Sequence, residues 1–309
     1  MTENRKVLLV AHTRREEALE ASLEAVASLQ NQGVQAIMTS AEKNELTDFA
    51  VARGQASSVA GVGILGVDAH VWDLEIAMVL GGDGTILKAA EIVRESNTPI
   101  LGINLGHVGF LAESERDGLA EAVQRVVSKE YTVIERMTLE VSVVVEGKVA
   151  FRTWALNEAT VEKSAAEKMI EVVVEVDQRP LTSFGCDGIV LSTPTGSTAY
   201  AFSAGGPVVW PSVEALLVVP LSAHALFSRP LVVSPHSMLA VEVLQRSAGH
   251  GELWCDGRRT QALPPGARVE VKQSEHPVRL ARFREGAFTD RLVRKFELPV
   301  SGWRGPDKK

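Results

Sequence analysis

The feature that most constrains this chain is a short apolar run that leads into a glycine turn with one aspartate at its centre. Residues 76–80 are continuously apolar, and the sequence GGDGT follows at 81–85. An unbroken apolar run of this length is typical of a strand buried on both faces of a parallel sheet. Thr85 is a residue type that caps helices, and apolar residues then recur at helical spacing. The pattern predicts a strand, a turn that carries Asp83, and a helix over 85–95.

The glycines around Asp83 also suit a phosphate-binding turn. Glycine lets the backbone approach a ligand closely, and the N–H groups at a helix start favour an anion. Glycine and aspartate are equally ordinary turn residues, and for an isolated Gly-Asp-Gly that structural interpretation is the better one. Lys88 lies one helix turn further on and outside a GK[ST] sequence, which argues against a P-loop NTPase. Lys88 is placed either to reach a phosphate or to face solvent.

A second motif, in residues 187–207, changes the balance towards a ligand site. A short apolar strand runs into a loop with five hydroxyl side chains, and a helical turn then ends at Gly205-Gly206. So dense a run of small donors suits a polyhydroxy or phosphorylated ligand that approaches the backbone. The alternative is a Ser/Thr turn with a helix cap, which would be the better interpretation of any four of these residues alone.

The predicted elements divide the chain into three parts. Up to residue 130, strands at 6–11, 34–38, 75–80 and 99–104 alternate with helices at 16–32, 85–95 and 116–128. This alternation predicts an α/β domain with a parallel sheet, in which residues 42–60 are either helix or loop. Residues 131–285 hold short Val- and Leu-rich strands separated by turns, which predict a β-rich sandwich whose last strand is 278–283. Residues 286–309 contain an amphipathic stretch, 289–297.

Composition excludes several classes of protein. A net charge of −7 argues against a nucleic-acid partner, and no segment approaches the length of a membrane span. Cys186 and Cys255 lack the CxxC spacing of a zinc site or a disulfide framework, which fits a reducing cytoplasm. The apolar start at 7–11 is too short for a signal peptide and is better interpreted as a first strand.

Taken in order, the motifs resemble those of the NAD kinase family. GGDGT alone is shared with phosphofructokinase-like and lipid kinases, whereas STPTGSTAY together with Asn157-Glu158 is highly specific. The matching pieces are GGDGT at 81–85, NLGHVGFL at 104–111, RMTL at 136–139, Asn157-Glu158, the 187–207 block, His224 to Pro230, and Cys255-Asp256-Gly257.

The resemblance implies a fold and a reaction. The fold is an α/β N-terminal domain with a Rossmann-like, phosphofructokinase-like parallel sheet, then a β-rich sandwich, with a C-terminal helix that returns to the first domain. The reaction is phosphorylation of the 2′-hydroxyl of the adenosine ribose of NAD to give NADP, with ATP or polyphosphate as donor and a divalent metal ion, Mg²⁺. The resemblance further implies small-molecule substrates, no nucleic-acid or membrane partner, a cytoplasmic location, and a homodimer or homotetramer.

The resemblance also assigns residues. Asp83 matches the catalytic aspartate, which accepts a hydrogen bond from the ribose hydroxyl and takes its proton. No residue is matched to a metal ligand. The positions matched to substrate binding are Asp83, Gly84, Lys88, Asn157, Glu158, Lys168, Asp187, Thr198, Ala199, Tyr200, Ala201, Phe202 and Ser203. His224 is either on the nicotinamide side or a buried structural histidine, and the role of Arg258 stays open because some relatives carry Gln there.

Two other functions remain open at this point. A dinucleotide-binding regulator without catalysis would have no use for Asp83. Another GGDGT kinase, acting on a lipid or a sugar, would leave the 187–207 block unexplained, and the sequence shows no apolar groove pattern for a lipid. The choice between ATP and polyphosphate, and the acceptance of NADH, are not specified by these motifs.

Overall fold

The computed structural model describes residues 5–106, 109–164, 169–226, 228–283 and 288–300. The first elements are β1 (Lys6–Ala11), α1 (Glu16–Asn31), β2 (Gln35–Met38), α2 (Ser40–Ala52), β3 (Gly63–Ile64), β4 (Ile76–Leu80), α3 (Asp83–Val93), β5 (Ile100–Asn104), β6 (Ser114–Glu115), α4 (Leu119–Ser128) and β7 (Thr132–Arg136). The others are β8 (Leu139–Val145), β9 (Lys148–Ala155), β10 (Glu158–Lys163), β11 (Ile170–Val176), β12 (Arg179–Cys186), β13 (Gly188–Ser192), α5 (Tyr200–Ser203), β14 (Leu216–Leu221), β15 (Leu231–Val233), β16 (Leu239–Val243), β17 (Gly251–Cys255), β18 (Arg259–Leu263), β19 (Arg268–Gln273), β20 (Val278–Arg282) and α6 (Phe288–Phe296). The described residues form two compact units, which divide at 135/136 and again at 277/278.

The first unit is built on one sheet with the strand order β3-β2-β1-β4-β5-β20-β7, and β6 pairs with β5. β1 is parallel to β2 and β4, and β4 is parallel to β5. All five residues of β4 are buried, as its unbroken apolar sequence predicts. Parallel strands end at the same edge of a sheet, so the turn after β4 and the loop after β5 lie together at the carboxyl edge. The predicted α/β sheet is confirmed.

The second unit is a sandwich of two antiparallel sheets with six strands each, ordered β15-β14-β13-β10-β17-β18 and β12-β11-β16-β19-β8-β9. β8 and β11 bury alternate residues, because one face of each strand points inward. One core cluster joins Val141 and Val172 of one sheet to Val161 and Leu253 of the other. Two inner faces that share a core define a sandwich, and the predicted β-rich fold is confirmed.

Two local predictions differ from the structure. The helix after GGDGT begins at Asp83, with Gly82 as its N-cap, and Thr85 is a buried residue within it. An acidic residue in the first turn is favoured by the helix dipole, so Asp83 can start the helix itself. In the segment 42–60, which the sequence leaves open between helix and loop, residues 42–52 belong to α2, whose N-cap is Thr39, and a turn and a short 3-10 helix at Ala56–Val59 follow.

Two predicted strands belong to the other unit. Residues 131–134 and 278–283 were assigned to the β-rich domain, but β7 and β20 lie in the sheet of the first unit. Leu280 of β20 pairs in parallel with Ile100 of β5. An apolar strand pattern reports burial and not the identity of the neighbouring strand, so the pattern could not decide between the two sheets.

The C-terminal helix packs on the first unit, as the family resemblance implied. The ring of Phe110 lies 5.9 Å from the rings of both Phe288 and Phe296. The guanidinium of Arg291 also donates to the carbonyl oxygen of Phe110. This prediction is confirmed for α6, which covers residues 289–296 of the predicted 289–297 stretch.

The two cysteines are buried free thiols in the core of the second unit. Burial raises the pKa of each thiol to about 12, so neither is a thiolate at neutral pH. Within the described ranges, no helix is both long enough and apolar enough to cross a membrane.

Candidate active site

In the first unit, both carboxylate oxygens of Asp83 accept backbone hydrogen bonds from the loop after β5. Phe110 N donates to Oδ2 at 3.0 Å, and Leu111 N donates to Oδ1 at 3.1 Å. Gly109 packs so closely that a Cβ at this position would overlap Oδ1. The carboxylate is therefore fixed in one orientation while its side chain stays half-buried. The NLGHVGFL motif is the structural partner of GGDGT, although His107 and Val108 lie outside the described residues.

The turn itself leaves backbone open to a ligand. A Cβ added at Gly82 or Gly84 would meet no atom within 4 Å, and Gly84 is exposed. The N-cap of α3 has no side chain that bonds to the first N–H groups of the helix. Unsatisfied N–H groups at a helix start, with glycine beside them, form a geometry that can bind a phosphate.

Lys88 is held by a buried carboxylate. Its Nζ lies 2.8 Å from Glu42 Oε1, and the two side chains are 35% and 2% exposed. Glu42 also accepts from Ala11 N at 3.2 Å and from Thr39 Oγ1 at 2.6 Å. Lys88 is thus an anchored cation on α3 and not a freely solvated lysine. Sequence reasoning missed Glu42, because it lies in the segment whose structure was left open.

In the second unit, Asp256 organises the entrance to β10. Its carboxylate accepts from the backbone N–H groups of Leu156 at 2.9 Å, Asn157 at 2.7 Å and Glu158 at 3.3 Å. Arg259 Nη2 donates to Asp256 Oδ2 at 2.7 Å. The sequence placed Asp256 only in the matching motif Cys255-Asp256-Gly257, whereas in the structure its carboxylate holds the Asn157-Glu158 pair in place.

Glu158 is a buried carboxyl group with an unsatisfied oxygen. Burial and, to a smaller extent, the nearby carboxyl of Asp256 raise its pKa to about 8, against the opposing effect of a backbone hydrogen bond from Tyr200. Burial also raises the pKa of Asp256, against the bonds it accepts. Glu158 Oε2 is buried without a hydrogen-bond partner. A buried polar atom of this kind costs free energy unless a ligand or water satisfies it, so Glu158 is suited to bind a hydroxyl group.

The hydroxyl-rich loop is anchored to the same entrance, but by its own hydroxyls. Ser192 Oγ donates to Asn157 O at 3.1 Å, and Thr193 Oγ1 donates to Leu156 O at 2.6 Å. Ser197 Oγ donates to a backbone carbonyl at 2.7 Å and accepts from a backbone N–H at 2.9 Å. These three side chains are fully buried. These three hydroxyls are used inside the loop, as the Ser/Thr-turn interpretation predicts. The approach of a ligand to the backbone of this loop stays a prediction.

The predicted segment from Thr198 to Ser203 divides by exposure. Tyr200 and Phe202 are 39% and 41% exposed, whereas Ala201 is buried. The methyl group of Ala201 packs in a small apolar cluster on the outer face of the sheet, with Val190, Leu217 and Val219. The exposed aromatic side chains are accessible to a ligand, and the side chain of Ala201 is not.

Asp187 forms an ion pair at the start of β13. Its Oδ1 lies 2.9 Å from Lys163 Nζ. The hydrogen bond from Lys163 lowers the pKa of Asp187, with a smaller contribution from Ser222. Asp187 is therefore an ionised and accessible carboxylate, and Lys163 is a neighbour that the sequence did not indicate.

Three other predicted residues have separate outcomes. Lys168 lies outside the described residues. His224 is exposed, which excludes the buried structural alternative. Arg258 is exposed in the turn after β17, and the contact to Asp256 comes from the neighbouring Arg259. The predicted residues thus form two sets, one around Asp83 in the first unit and one around Glu158 in the second.

Comparison with known proteins identifies both units. Residues 7–131 match the model of the ATP-NAD kinase N-terminal domain, and residues 156–283 match that of the ATP-NAD kinase C-terminal domain. An NAD kinase of Leifsonia xyli subsp. xyli is 58% identical over 307 residues, which are 99% of each chain. NAD kinase 2 of Streptomyces coelicolor is 57% identical, again over 99% of each chain.

Solved structures show the same fold at low sequence identity. The crystal structure of yeast NADH kinase complexed with NADH has a TM-score of 0.84 and 23% identity, covering 98% of this chain and 90% of that one. The crystal structure of an NAD kinase from Archaeoglobus fulgidus in complex with ATP has a TM-score of 0.69 and 24% identity, covering 95% and 100%. These two structures support the fold.

Replacement of Gly196 should destabilise the second unit. A Cβ at this position would overlap the carbonyl oxygen of Asn157, so either the loop or the strand entrance has to move. We expect Gly196→Ala to lower the free energy of unfolding by about 1–3 kcal/mol. Gly82→Ala is the control, because its Cβ meets open space. Equal thermal unfolding temperatures for the two variants would contradict this packing.

The buried carboxyl of Glu158 should make stability fall with rising pH. The folded pKa of about 8 lies above that of the unfolded chain, so the folded state holds an extra proton between the two values. This stabilisation is complete below the unfolded pKa, near 4.3, and is lost as pH rises to about 8. Glu158→Gln cannot ionise and should gain stability over the parent across that window.

The gain can reach a few kcal/mol, at about 1.4 kcal/mol for each pKa unit. Urea unfolding at several pH values measures it for the parent, for Glu158→Gln, and for Glu146→Gln, which removes an exposed carboxylate from a turn. If Glu158→Gln and the parent lose stability in parallel as pH rises, Glu158 does not hold a proton in the folded state.

Proposed function

Because the chain belongs to the ATP-NAD kinase family, we propose that its NAD kinase activity uses Asp83 to bind and deprotonate the 2′-hydroxyl of the adenosine ribose. The observation that carries this proposal is the fixed carboxylate of Asp83 beside the glycine turn. Its two bonds from Phe110 N and Leu111 N leave further lone pairs on both oxygens. A carboxylate that is oriented in advance can accept the ribose proton without first rearranging.

Phosphoryl transfer depends less on the strength of the general base than on the position of the nucleophile relative to the transferred phosphate. The transferred group needs an in-line nucleophile and neutralised charge, and the protein does little covalent chemistry. Proton transfer by a positioned side chain contributes about 10²–10⁴-fold. We therefore assign Asp83 both roles, orientation of the hydroxyl and acceptance of its proton.

The donor phosphates are proposed to bind at the start of α3. Open space at Gly82 and Gly84 supports this, as do the uncapped N–H groups of the helix. Lys88, fixed by Glu42, adds a cation on the same helix.

A divalent metal ion fits this arrangement in one way only. In the part of the chain that the structure describes, no three His, Cys, Asp or Glu side chains cluster as a metal site. Mg²⁺ commonly binds through substrate phosphates and one or two carboxylates, and Asp83 is the carboxylate placed to join it. When bound, the ion neutralises charge on the phosphate oxygens.

The dinucleotide is proposed to bind to the second set of residues. The orphaned oxygen of Glu158 supports a contact with a ribose hydroxyl, and the ionised Asp187 supports another polar contact. Tyr200 and Phe202 offer exposed rings for stacking. Asn157, Thr198, Ala199 and Ser203 keep the binding roles implied by the family, and so does Lys168, outside the described residues. Ala201 is retained only through its backbone.

Other properties are proposed on narrower grounds. The two buried thiols support a reducing, cytoplasmic location. A homodimer or homotetramer rests on the family resemblance alone, as does the use of ATP or polyphosphate.

Purified protein incubated with NAD or NADH, Mg²⁺ and either donor, with NADP- or NADPH-specific detection, identifies the donor and the acceptor.

Asp83→Asn tests the catalytic assignment. It keeps the size of the side chain but removes the charge, so we expect kcat to fall by about 10² or more while NAD binding stays near the parent value. Asp117→Asn, an exposed carboxylate in the same unit, serves as the control. NADP formation by Asp83→Asn at more than about a tenth of the parent rate would refute the base role. A parent chain that binds NAD but forms no NADP would indicate a regulator.

Asp187→Ala and Glu158→Ala test the dinucleotide set. For the buried Glu158, loss of one hydrogen-bonding partner costs roughly 1–3 kcal/mol, which corresponds to about 5- to 150-fold in affinity. For Asp187, whose side chain is 43% exposed, we expect a smaller loss of affinity. Isothermal calorimetry of NAD binding measures the change, with Glu146→Ala as an exposed control in the same unit. Dissociation constants equal to that of the control would place the dinucleotide elsewhere.

A further inference from the structure

Phe110 links Asp83 to the C-terminal helix. Its N–H donates to Asp83 Oδ2 at 3.0 Å, and its carbonyl oxygen accepts from Arg291 Nη1 at 2.6 Å. One residue of the loop after β5 is therefore bonded to the proposed catalytic carboxylate on one side and to a guanidinium of α6 on the other. Two hydrogen bonds connect Arg291 to Asp83, although the two residues are far apart in sequence.

The ring of Phe110 is held by the same helix. It lies 5.9 Å from each of the rings of Phe288 and Phe296, which stand two turns apart on α6. Aromatic pairs at this separation attract each other beyond their burial. The apolar face of α6 thus positions the ring of Phe110 while Arg291 positions its carbonyl.

Arg291 is itself fixed by a buried ionic cluster. Its Nη2 lies 3.2 Å from Glu113 Oε2, and Arg282 Nη1 lies 2.8 Å from the same oxygen. Glu113 Oε1 accepts from Phe283 N at 3.0 Å, and Arg282 also donates to Ala112 O at 3.2 Å. Glu113 and Arg282 are each only 6% exposed, and Arg291 is 18% exposed. The loop from 109 to 113 is therefore held by hydrogen bonds with Arg282, Phe283 and Arg291.

Among the residues that the structure describes, Arg282 and Arg291 both pair with Glu113 in this cluster. Burial and, to a smaller extent, Arg282 lower the pKa of Arg291 to about 10, against the opposing effects of Glu113 and Asp83. Burial of a guanidinium costs desolvation free energy. A buried ion pair is therefore weak evidence of a gain in folding stability. The geometry gives Arg291 another use, which is to hold the carbonyl of Phe110. That carbonyl and the N–H of Leu111 belong to one peptide group, and the N–H groups of Phe110 and Leu111 are the two donors to Asp83.

We infer that Arg291 is a positioning residue for the kinase reaction, acting on Asp83 through the backbone of Phe110. The inference rests on the proposed role of Asp83 as the catalytic base. Without the bond to Arg291, the peptides that donate to Asp83 can shift, and the carboxylate loses its fixed direction. Misplacement of a reacting group by about 1 Å can lower the rate by 10²-fold.

The test uses the full chain with Arg291→Met, which keeps a long apolar side chain and removes both hydrogen bonds. We expect kcat to fall by about 10- to 100-fold, with KM for NAD and for ATP changed less than about threefold. Arg291→Lys keeps the charge and one donor, and should recover part of the activity. The control is Arg294→Met, on the same helix, where Arg294 and its partner Glu115 are 67% and 65% exposed.

A double-mutant cycle separates positioning from general support of the fold. If Arg291 acts through Asp83, Arg291→Met should lower kcat by less than about threefold in the Asp83→Asn background, because the base is already absent. Equal losses in both backgrounds, or a parent-like kcat for Arg291→Met, would overturn the inference. If Arg291→Met unfolds at the assay temperature, the same cycle is run with Arg291→Lys.

The two proposals fail in different ways. Near-parent activity of Asp83→Asn alone would refute the catalytic assignment and, with it, the role of Arg291. An inactive Asp83→Asn, combined with additive losses in the cycle, would refute the role of Arg291 and leave that of Asp83 intact.

Discussion

In each unit, the motifs depend on a carboxylate that accepts hydrogen bonds from successive backbone N–H groups of a distant segment. Asp83 accepts from Phe110 and Leu111, and Asp256 accepts from three successive residues that include Asn157. Hydrogen bonds to a charged acceptor are about twice as strong as neutral ones. A loop held in this way keeps its shape without regular secondary structure, which is why the turn after β4 and the entrance to β10 can present ligand-binding groups.

The same interactions explain the charge state of the second set. Asp256 receives three N–H groups and a guanidinium, so its own charge is compensated, whereas Glu158 beside it has one opposing hydrogen bond and an unsatisfied oxygen. Two adjacent buried carboxyl groups do not ionise equally easily, and the one with fewer donors keeps its proton. A ribose hydroxyl that reaches Glu158 would supply the partner this carboxyl lacks.

Three hydroxyl side chains of the second motif stabilise the loop that carries them. In the run at 192–198, the side chains of Ser192, Thr193 and Ser197 each donate to a backbone carbonyl. Buried polar groups must be paired, and small hydroxyls pair with nearby carbonyls at little cost in space. The groups left accessible in this region are the aromatic rings of α5 and the carboxylates around it.

The sequence by itself determined what depends on local order. The unbroken apolar run of β4 required a strand buried on both faces, and the alternation of apolar residues in β8 and β11 required half-buried strands. The periodicity of apolar residues therefore predicted both the parallel sheet and the antiparallel sandwich. The motifs located Asp83, Asn157, Glu158 and Asp187. Tertiary structure alone decided the contacts that span long distances: Lys88 with Glu42 across 46 residues, Asn157 with Asp256 across 99, and Arg291 with Phe110 across 181. It also decided that β20 joins the parallel sheet. Periodicity reports how deeply a residue is buried and not what lies against it, so partners of this kind have no local signature in the sequence.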